Sequence, residues 1–226
     1  MLVDSLPKIG FRDEIRPPGT ARYRPHALHG SSTAPRSATD EECKGTNGVI
    51  LLDRDGVLNV DLVNSVRSVA DLQLERNAER AVARLALAGY TLIVVTNQAA
   101  VGRGWLDEAT LATIHEHLND LLGDRISRFY VCPHNPDERC RCRKPDTLLL
   151  EQAREDYGFE PERTWFVLDA PRDIEAATRF GCRPALVRTG KGTATALDHD
   201  DVPVWDDLLA FAEWLLAHDR GASGPS

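Results

Sequence analysis

Long apolar runs are missing from this chain. No stretch of about 18 consecutive apolar residues occurs, so no membrane-spanning helix is expected. The first residues, MLVDSLPKIGFRDEIR, hold no apolar h-region, which argues against a secretory leader and for a cytoplasmic location. Positive charge is in deficit: 27 Lys+Arg face 35 Asp+Glu, a formal net charge of −8. A field of that sign repels phosphate backbones, so neither nucleic acid nor an anionic membrane is an expected partner. Cysteine is too scarce, at five in 226 residues, for a disulfide scaffold, and its spacing carries the information instead. Aromatics reach only 6% of a 42% hydrophobic composition, so aliphatic side chains must build the interior, enough for one sizeable core.

Charge and proline divide the chain. Residues 1–46 hold seven basic and six acidic residues and five of the 13 prolines, with the polar run Gly30 to Thr39 and no sustained periodicity. They read as a disordered or loosely docked extension, with Arg22-Tyr-Arg-Pro-His26 as a weak docking motif. Residues 220–226 read as a flexible tail. Between them, 47–219 alternate strand and helix patterns. Val49–Leu52 is a short apolar run, Thr91–Val95 is continuous and β-branched as suits a strand covered on both faces, and Ile126–Val131, Thr164–Leu168 and Ala185–Val187 read as the third, fourth and fifth strands. Helical stripes follow: Ala78, Ala81, Val82 and Leu85 with a stop at Gly89; Leu111, Ile114 and Leu118 behind an Asp107 cap; a helix from an Asp146 cap to Tyr157; one near Asp173–Phe180; and Trp205–Leu216. Repeated β-α units imply an α/β fold, a doubly wound parallel sheet. Ligands bind such sheets beyond the carboxyl ends of the strands, so the polar residues there matter most.

Four constellations follow strands. In Leu52-Asp53-Arg54-Asp55-Gly56, two carboxylates two residues apart repel unless a cation lies between them or one is protonated. In Val95-Thr96-Asn97-Gln98, Thr96 offers a hydroxyl suited to a phosphate oxygen, with Asn97 beside it among the substrate-binding candidates. The next loop, Ala99 to Trp105, is glycine-rich around Arg103. Cys132-Pro133-His134 and Cys140-Arg141-Cys142 form two close pairs, and three thiolates with one imidazole fill every position of a tetrahedral Zn²⁺, which makes that site structural. Arg143 and Lys144 follow at once, Lys144 being a compact cation suited to a transferring phosphoryl group. In Leu168-Asp169-Ala170-Pro171-Arg172-Asp173, Asp169 is a further metal-ligand candidate, and Asp173 either caps a helix or supports the other carboxylates. His115 and His117 show no ligand spacing and are expected on a solvated helix face.

The motifs D-R-D-G-V-L-N, V-T-N-Q and C-R-K-P, in this order over about Gly48 to Lys191, resemble the haloacid dehalogenase (HAD) superfamily of phosphohydrolases. The zinc loop is similar to that of its small, essentially capless branch, which holds heptose-bisphosphate and histidinol-phosphate phosphatases. The resemblance implies a Rossmann-like core and a Mg²⁺-dependent phosphomonoesterase acting on a small phosphorylated sugar. It implies that Asp53 is the nucleophile and Asp55 the acid and base. Mg²⁺ is then held by Asp53, Asp169 and the carbonyl of Asp55, while Thr96 and Lys144 clamp the phosphoryl oxygens. Arg103 and Arg143 are expected at the sugar or its distal phosphate, and Asn59 and Asp61 near its hydroxyls. The pattern departs at Leu168 and Ala170, where the family writes glycine and a polar or basic residue. Histidinol phosphate, a polynucleotide 3′-phosphate, or binding with little turnover are the alternatives.

Overall fold

The computed structural model describes residues 47–219. The expected extension over 1–46, with its Arg22–His26 motif, and the expected tail over 220–226 lie outside the described residues. The strands are β1 (Val49–Leu52), β2 (Thr91–Asn97), β3 (Ile126–Cys132), β4 (Trp165–Leu168), β5 (Arg183–Val187) and β6 (Val204–Trp205). The helices are α1 (Ala78–Leu87), α2 (Ala99–Gly102), α3 (Glu108–Leu121), α4 (Leu148–Tyr157), α5 (Pro171–Phe180), α6 (Gly192–Asp198) and α7 (Leu208–Asp219). All six strands are parallel, in the order β3-β2-β1-β4-β5-β6.

Side chains alternate across this sheet, and both faces are covered. Ile50, Leu52, Val94 and Val167 pack with α1, α3 and α7 on one side. Leu51, Ile93, Val95, Phe166 and Leu168 pack with α4 and α5 on the other. Ile93 is wholly buried, so its replacement by Ala costs about 2–5 kcal/mol through lost transfer energy and the cavity left behind. Leu168 belongs to this second layer, which accounts for an aliphatic residue ahead of Asp169.

The chain builds outward from β1 to β3, then returns to the other side of β1 with β4. The order therefore reverses between β1 and β4, and a crevice opens beyond their carboxyl ends. The connections there are the loops 53–77, 98–107 and 133–147, with no inserted cap domain among the described residues.

Of three local expectations at helix starts, the structure meets one and departs from two. Asp107 caps α3 by accepting from the Thr110 N–H at 2.7 Å, as its position suggests. Asp146 does not cap α4: Thr147 takes the N-cap position, and the Asp146 N–H closes a turn onto the Arg143 carbonyl. Trp205 is the end of β6 rather than the start of the last helix, because Asp207 accepts the Ala210 N–H and starts α7 after it. No described helix is long and apolar enough to cross a membrane.

Candidate active site

The polypeptide leaves β1 through a tight loop. The Arg54 carbonyl accepts the N–H groups of Leu58 and Asn59 at 2.8 and 3.1 Å, curling residues 54–59 around it. The Asp53 N–H still donates to the Val167 carbonyl at 2.9 Å, so Asp53 is the last residue held by the sheet. Its Oδ1 accepts the Arg54 N–H at 2.8 Å and lies 2.9 Å from Lys144 Nζ. Lys144 is also 2.9 Å from Asp173 Oδ1 and donates to the Val95 carbonyl at 2.8 Å. Asp173 thus faces Lys144 and does not cap α5, whose N-cap is Ala170.

Asp169 follows β4 as Asp53 follows β1. Oxygens of Asp53, Asp169 and Asp173 lie within 4.8 Å of one another, all buried. Gly56 and Gly190 close on Asp169: a methyl built on either would stand 2.1 or 2.3 Å from its Oδ2. Both have positive φ (+83° and +55°), so glycine serves twice at each position. The Lys191 N–H donates to the same Oδ2 at 2.8 Å, while Oδ1 is buried with no hydrogen-bond partner. Burial, with Asp53 beside it, pushes the Asp169 carboxyl up to about 7. Burial pushes Asp53 up to about 6, against the pull of Lys144. A dry group of acids with an orphaned oxygen fits a hard divalent cation, which prefers oxygen ligands.

Asp55 has a different environment. Its Oδ1 accepts from Arg54 Nη2 at 2.8 Å and Asn59 Nδ2 at 2.9 Å, and its Oδ2 accepts from Gln98 Nε2 at 2.8 Å. Burial raises its proton affinity, but Arg54 and these three donors outweigh it and hold the carboxyl below its usual range. Gln98 Nε2 also donates to Thr96 Oγ1 at 2.9 Å, which ties the threonine to Asp55.

Two substrate-side candidates have protein partners. Asn59 is fully buried and orients Asp55, so it does not face sugar hydroxyls. Asn97 donates to the Lys144 carbonyl at 3.1 Å and accepts the Lys144 N–H at 3.0 Å, so it braces the lysine backbone. Asp61 stands at the rim, paired with Lys191. Arg103 is exposed, its guanidinium 4.9 Å from the centroid of the Trp105 ring, and Arg143 is half-buried.

Sequence reasoning gave no role to Arg54, Gln98, Arg172 and Gly190, and it placed His115 on a solvated helix face. Burial opposes the charge of Arg172, but Asp173, Asp53, Asp169 and Asp61 overcome it and keep the guanidinium firmly protonated. His115 is buried against Arg54 and not solvated, whereas His117 is half-buried. A signal existed: His115 lies four residues after Leu111 and three before Leu118, on the apolar stripe.

The Cys132, His134, Cys140 and Cys142 side chains converge at the crevice edge. Adjacent ligand atoms are separated by 3.5 Å (Cys132–Cys140 and Cys140–Cys142), 3.1 Å (His134 Nδ1–Cys142) and 3.8 Å (Cys132–His134 Nδ1). Bonds of about 2.3 Å to sulfur and about 2.0 Å to nitrogen give a tetrahedron with edges of this size. Hydrogen bonding from Cys142 and His134 draws the Cys132 thiol down to about 5 despite burial, while Cys142 is pushed up. The four form a group that could hold a metal ion. The loop is also a buttress: the Gly102 N–H donates to the Pro133 carbonyl at 2.8 Å, and a methyl on Gly102 would meet the Asn135 nitrogen at 2.4 Å. The segment carrying Arg103 thus rests on the Cys/His loop.

Comparison with known proteins agrees with this geometry. A family model described as HAD-hydrolase-like matches residues 141–211. The D-glycero-beta-D-manno-heptose-1,7-bisphosphate 7-phosphatase of Pseudomonas aeruginosa is 38% identical over 176 residues, 76% of this chain and 99% of that protein. The crystal structure of the D,D-heptose 1,7-bisphosphate phosphatase from B. bronchiseptica, complexed with magnesium and phosphate, superposes with a TM-score of 0.73 at 36% identity. It covers 75% of this chain and 98% of that one. The corresponding enzyme of Burkholderia thailandensis has a TM-score of 0.57 at 33% identity, over 74% of this chain and 97% of that one. The chain is a phosphoric monoester hydrolase of the HAD superfamily and belongs to its heptose-bisphosphate phosphatase family.

Proposed function

We propose that residues 47–219 are a Mg²⁺-dependent phosphatase domain that removes the 7-phosphate of a D-glycero-D-manno-heptose 1,7-bisphosphate. The observation that carries this reading is the grouping of Asp53, Asp169 and Lys144 at the strand-order reversal, with Asp55 held apart by its own donors. Asp53 attacks phosphorus to form an aspartyl-phosphate, and the departing alkoxide takes a proton from Asp55. Asp55 then removes a proton from the water that releases phosphate. Lys144 and the Thr96 hydroxyl bind the transferring oxygens, whose charge the site must offset because phosphoryl transfer depends on positioning and electrostatics. A Mg²⁺ ion held by Asp53, Asp169 and the Asp55 carbonyl would supply further charge neutralisation when bound.

Arg172 supplies a cation near the acids where Ala170 has none. Arg103 and Arg143 meet the distal phosphate or the sugar, with Asp61 near its hydroxyls. Zn²⁺ fits the Cys132, His134, Cys140 and Cys142 group, with every tetrahedral position filled and none left for catalytic water. Thiolate ligands of this kind suit a reducing cytoplasm.

Phosphate release with Mg²⁺ should be compared across both heptose bisphosphate anomers, histidinol phosphate, a 3′-phosphorylated oligonucleotide and an aryl phosphate. The reading expects a heptose bisphosphate to have the highest kcat/KM and Asp53→Asn to be inactive. Preference for histidinol phosphate, or undiminished turnover by Asp53→Asn, would overturn it.

A further inference from the structure

Behind Asp55 lies a buried pair that the proposed chemistry does not use. The Arg54 side chain is 0% exposed, and arginine keeps its charge even there. Its Nη2 donates to Asp55 Oδ1 at 2.8 Å, and its Nη1 stands 3.0 Å from His115 Nε2. A guanidinium nitrogen has only hydrogens to offer, so Nε2 must carry the lone pair and the ring is neutral. Burial and the charge of Arg54 favour the same state. The imidazole stacks on Phe129 with centroids 4.6 Å apart and planes 10° apart, and α3 holds it in the core between Ile114 and Leu118. A rigid ring thus fixes a guanidinium, which in turn fixes a carboxylate 60 residues away in sequence. The neutrality of the acceptor matters. A carboxylate in its place would compete with Asp55 for the guanidinium, whereas a neutral imidazole orients it without competing.

We propose that His115, acting through Arg54, is a positioning residue that aims Asp55 at the leaving oxygen. This rests on the acid–base role given to Asp55 above. In the step concerned, an Asp53 oxygen bonds to phosphorus while the phosphorus–ester oxygen bond breaks. The electron pair stays on the departing oxygen, and the Asp55 proton moves to it. A sugar alkoxide needs that proton, and a p-nitrophenolate does not.

The test compares kcat/KM, which covers events up to departure of the alcohol, on heptose bisphosphate and on p-nitrophenyl phosphate. His115→Leu is expected to lower kcat/KM on the sugar phosphate by about 10-fold or more, within the range of general-acid catalysis, with under about threefold change on the aryl ester. His115→Gln, whose Oε1 falls near the place of Nε2, should restore the sugar phosphate to within about threefold of wild type. Equal losses on both substrates, or no loss on either, would overturn the proposal. If His115→Leu does not fold, His115→Asn replaces it, its acceptor standing short of Arg54. Asp55→Asn separates the two readings: wild-type kcat/KM on the sugar phosphate in that variant would remove the role of Asp55 itself, and the positioning role with it.

Discussion

Gly56→Ala tests how closely the backbone holds Asp169. A methyl on Gly56 would lie 2.1 Å from Asp169 Oδ2, and real Cβ atoms essentially never approach closer than 3.0 Å. The carboxylate must therefore retreat by about 1 Å. The same methyl would stand 3.1 Å from the Gly190 Cα, so real backbone also crowds that side. A misplacement of about 1 Å at a reacting centre costs on the order of 100-fold in rate. The substitution also places an L-residue at a φ of +83°, which costs about 1–2 kcal/mol. For a chain of this size that is a Tm loss of about 2–8 °C. Gly158→Ala separates the two effects, because Gly158 has a φ of +65° with nothing within 4 Å of its methyl position. Both variants should lose stability in thermal denaturation through the backbone, Gly56→Ala more because its methyl also displaces a buried carboxylate. Only Gly56→Ala should lose activity, by about 100-fold, and Mg²⁺ affinity by calorimetry, by about 10-fold or more. Wild-type Mg²⁺ affinity and turnover in Gly56→Ala would refute the close packing around Asp169.

Other outcomes follow from the same geometry. Elemental analysis should find about one zinc per chain, lost in Cys140→Ser/Cys142→Ser; an unchanged Tm in that variant would contradict a structural ion. Burial raises Asp53 and Asp169 to about 6 and 7 from 3.8, so the metal-free folded state holds more protons than the unfolded chain between these values. Its stability therefore falls as pH rises from about 4 to 7. Mg²⁺ displaces those protons, so its stabilisation in thermal shift should be larger at pH 8 than at pH 5.5, and equal shifts would contradict the assignment. Arg172→Ala should reduce kcat/KM by about 10-fold, as a lost charge contact worth about 1.4 kcal/mol would; unchanged kinetics would place the guanidinium outside the site.

Much of this architecture is written in local sequence. β1, β2 and β4 carry continuous apolar runs because helices cover both sheet faces, and the catalytic candidates sit where those runs stop. β6 and α6 escape such reading because two and seven residues are too short to show a period. Arg54 is the central residue of a D-x-D motif, a position that reads as solvated. Its burial depends on His115, 61 residues later, and no local pattern records that pair. Asn59 and Asn97 show a related limit. Residue type marks them as polar groups near a site, but only the fold shows that they hold Asp55 and Lys144.

The proton affinities of the two loop carboxyls have a further consequence. In the metal-free molecule burial lifts Asp53, while donors hold Asp55 down. Those environments oppose the proposed roles, since a protonated Asp53 is a poor nucleophile and an ionised Asp55 a poor acid. On the proposed mechanism, the charges of the metal and of the substrate would reverse the order. A divalent cation beside Asp53 and Asp169 favours their ionised forms. A phosphate beside Asp55 is a like charge and raises its affinity for a proton. Each carboxyl would thus be brought to its proposed working state by a different visitor, one by the metal and the other by the substrate. The lift on Asp53 and Asp169 makes the first dependence strong, and the grip of Arg54, Asn59 and Gln98 on Asp55 makes the second. On this account Asp55 becomes a carboxylate when it protonates the departing alcohol, and the same donors that obstruct it as an acid would keep it ionised to accept the proton of water.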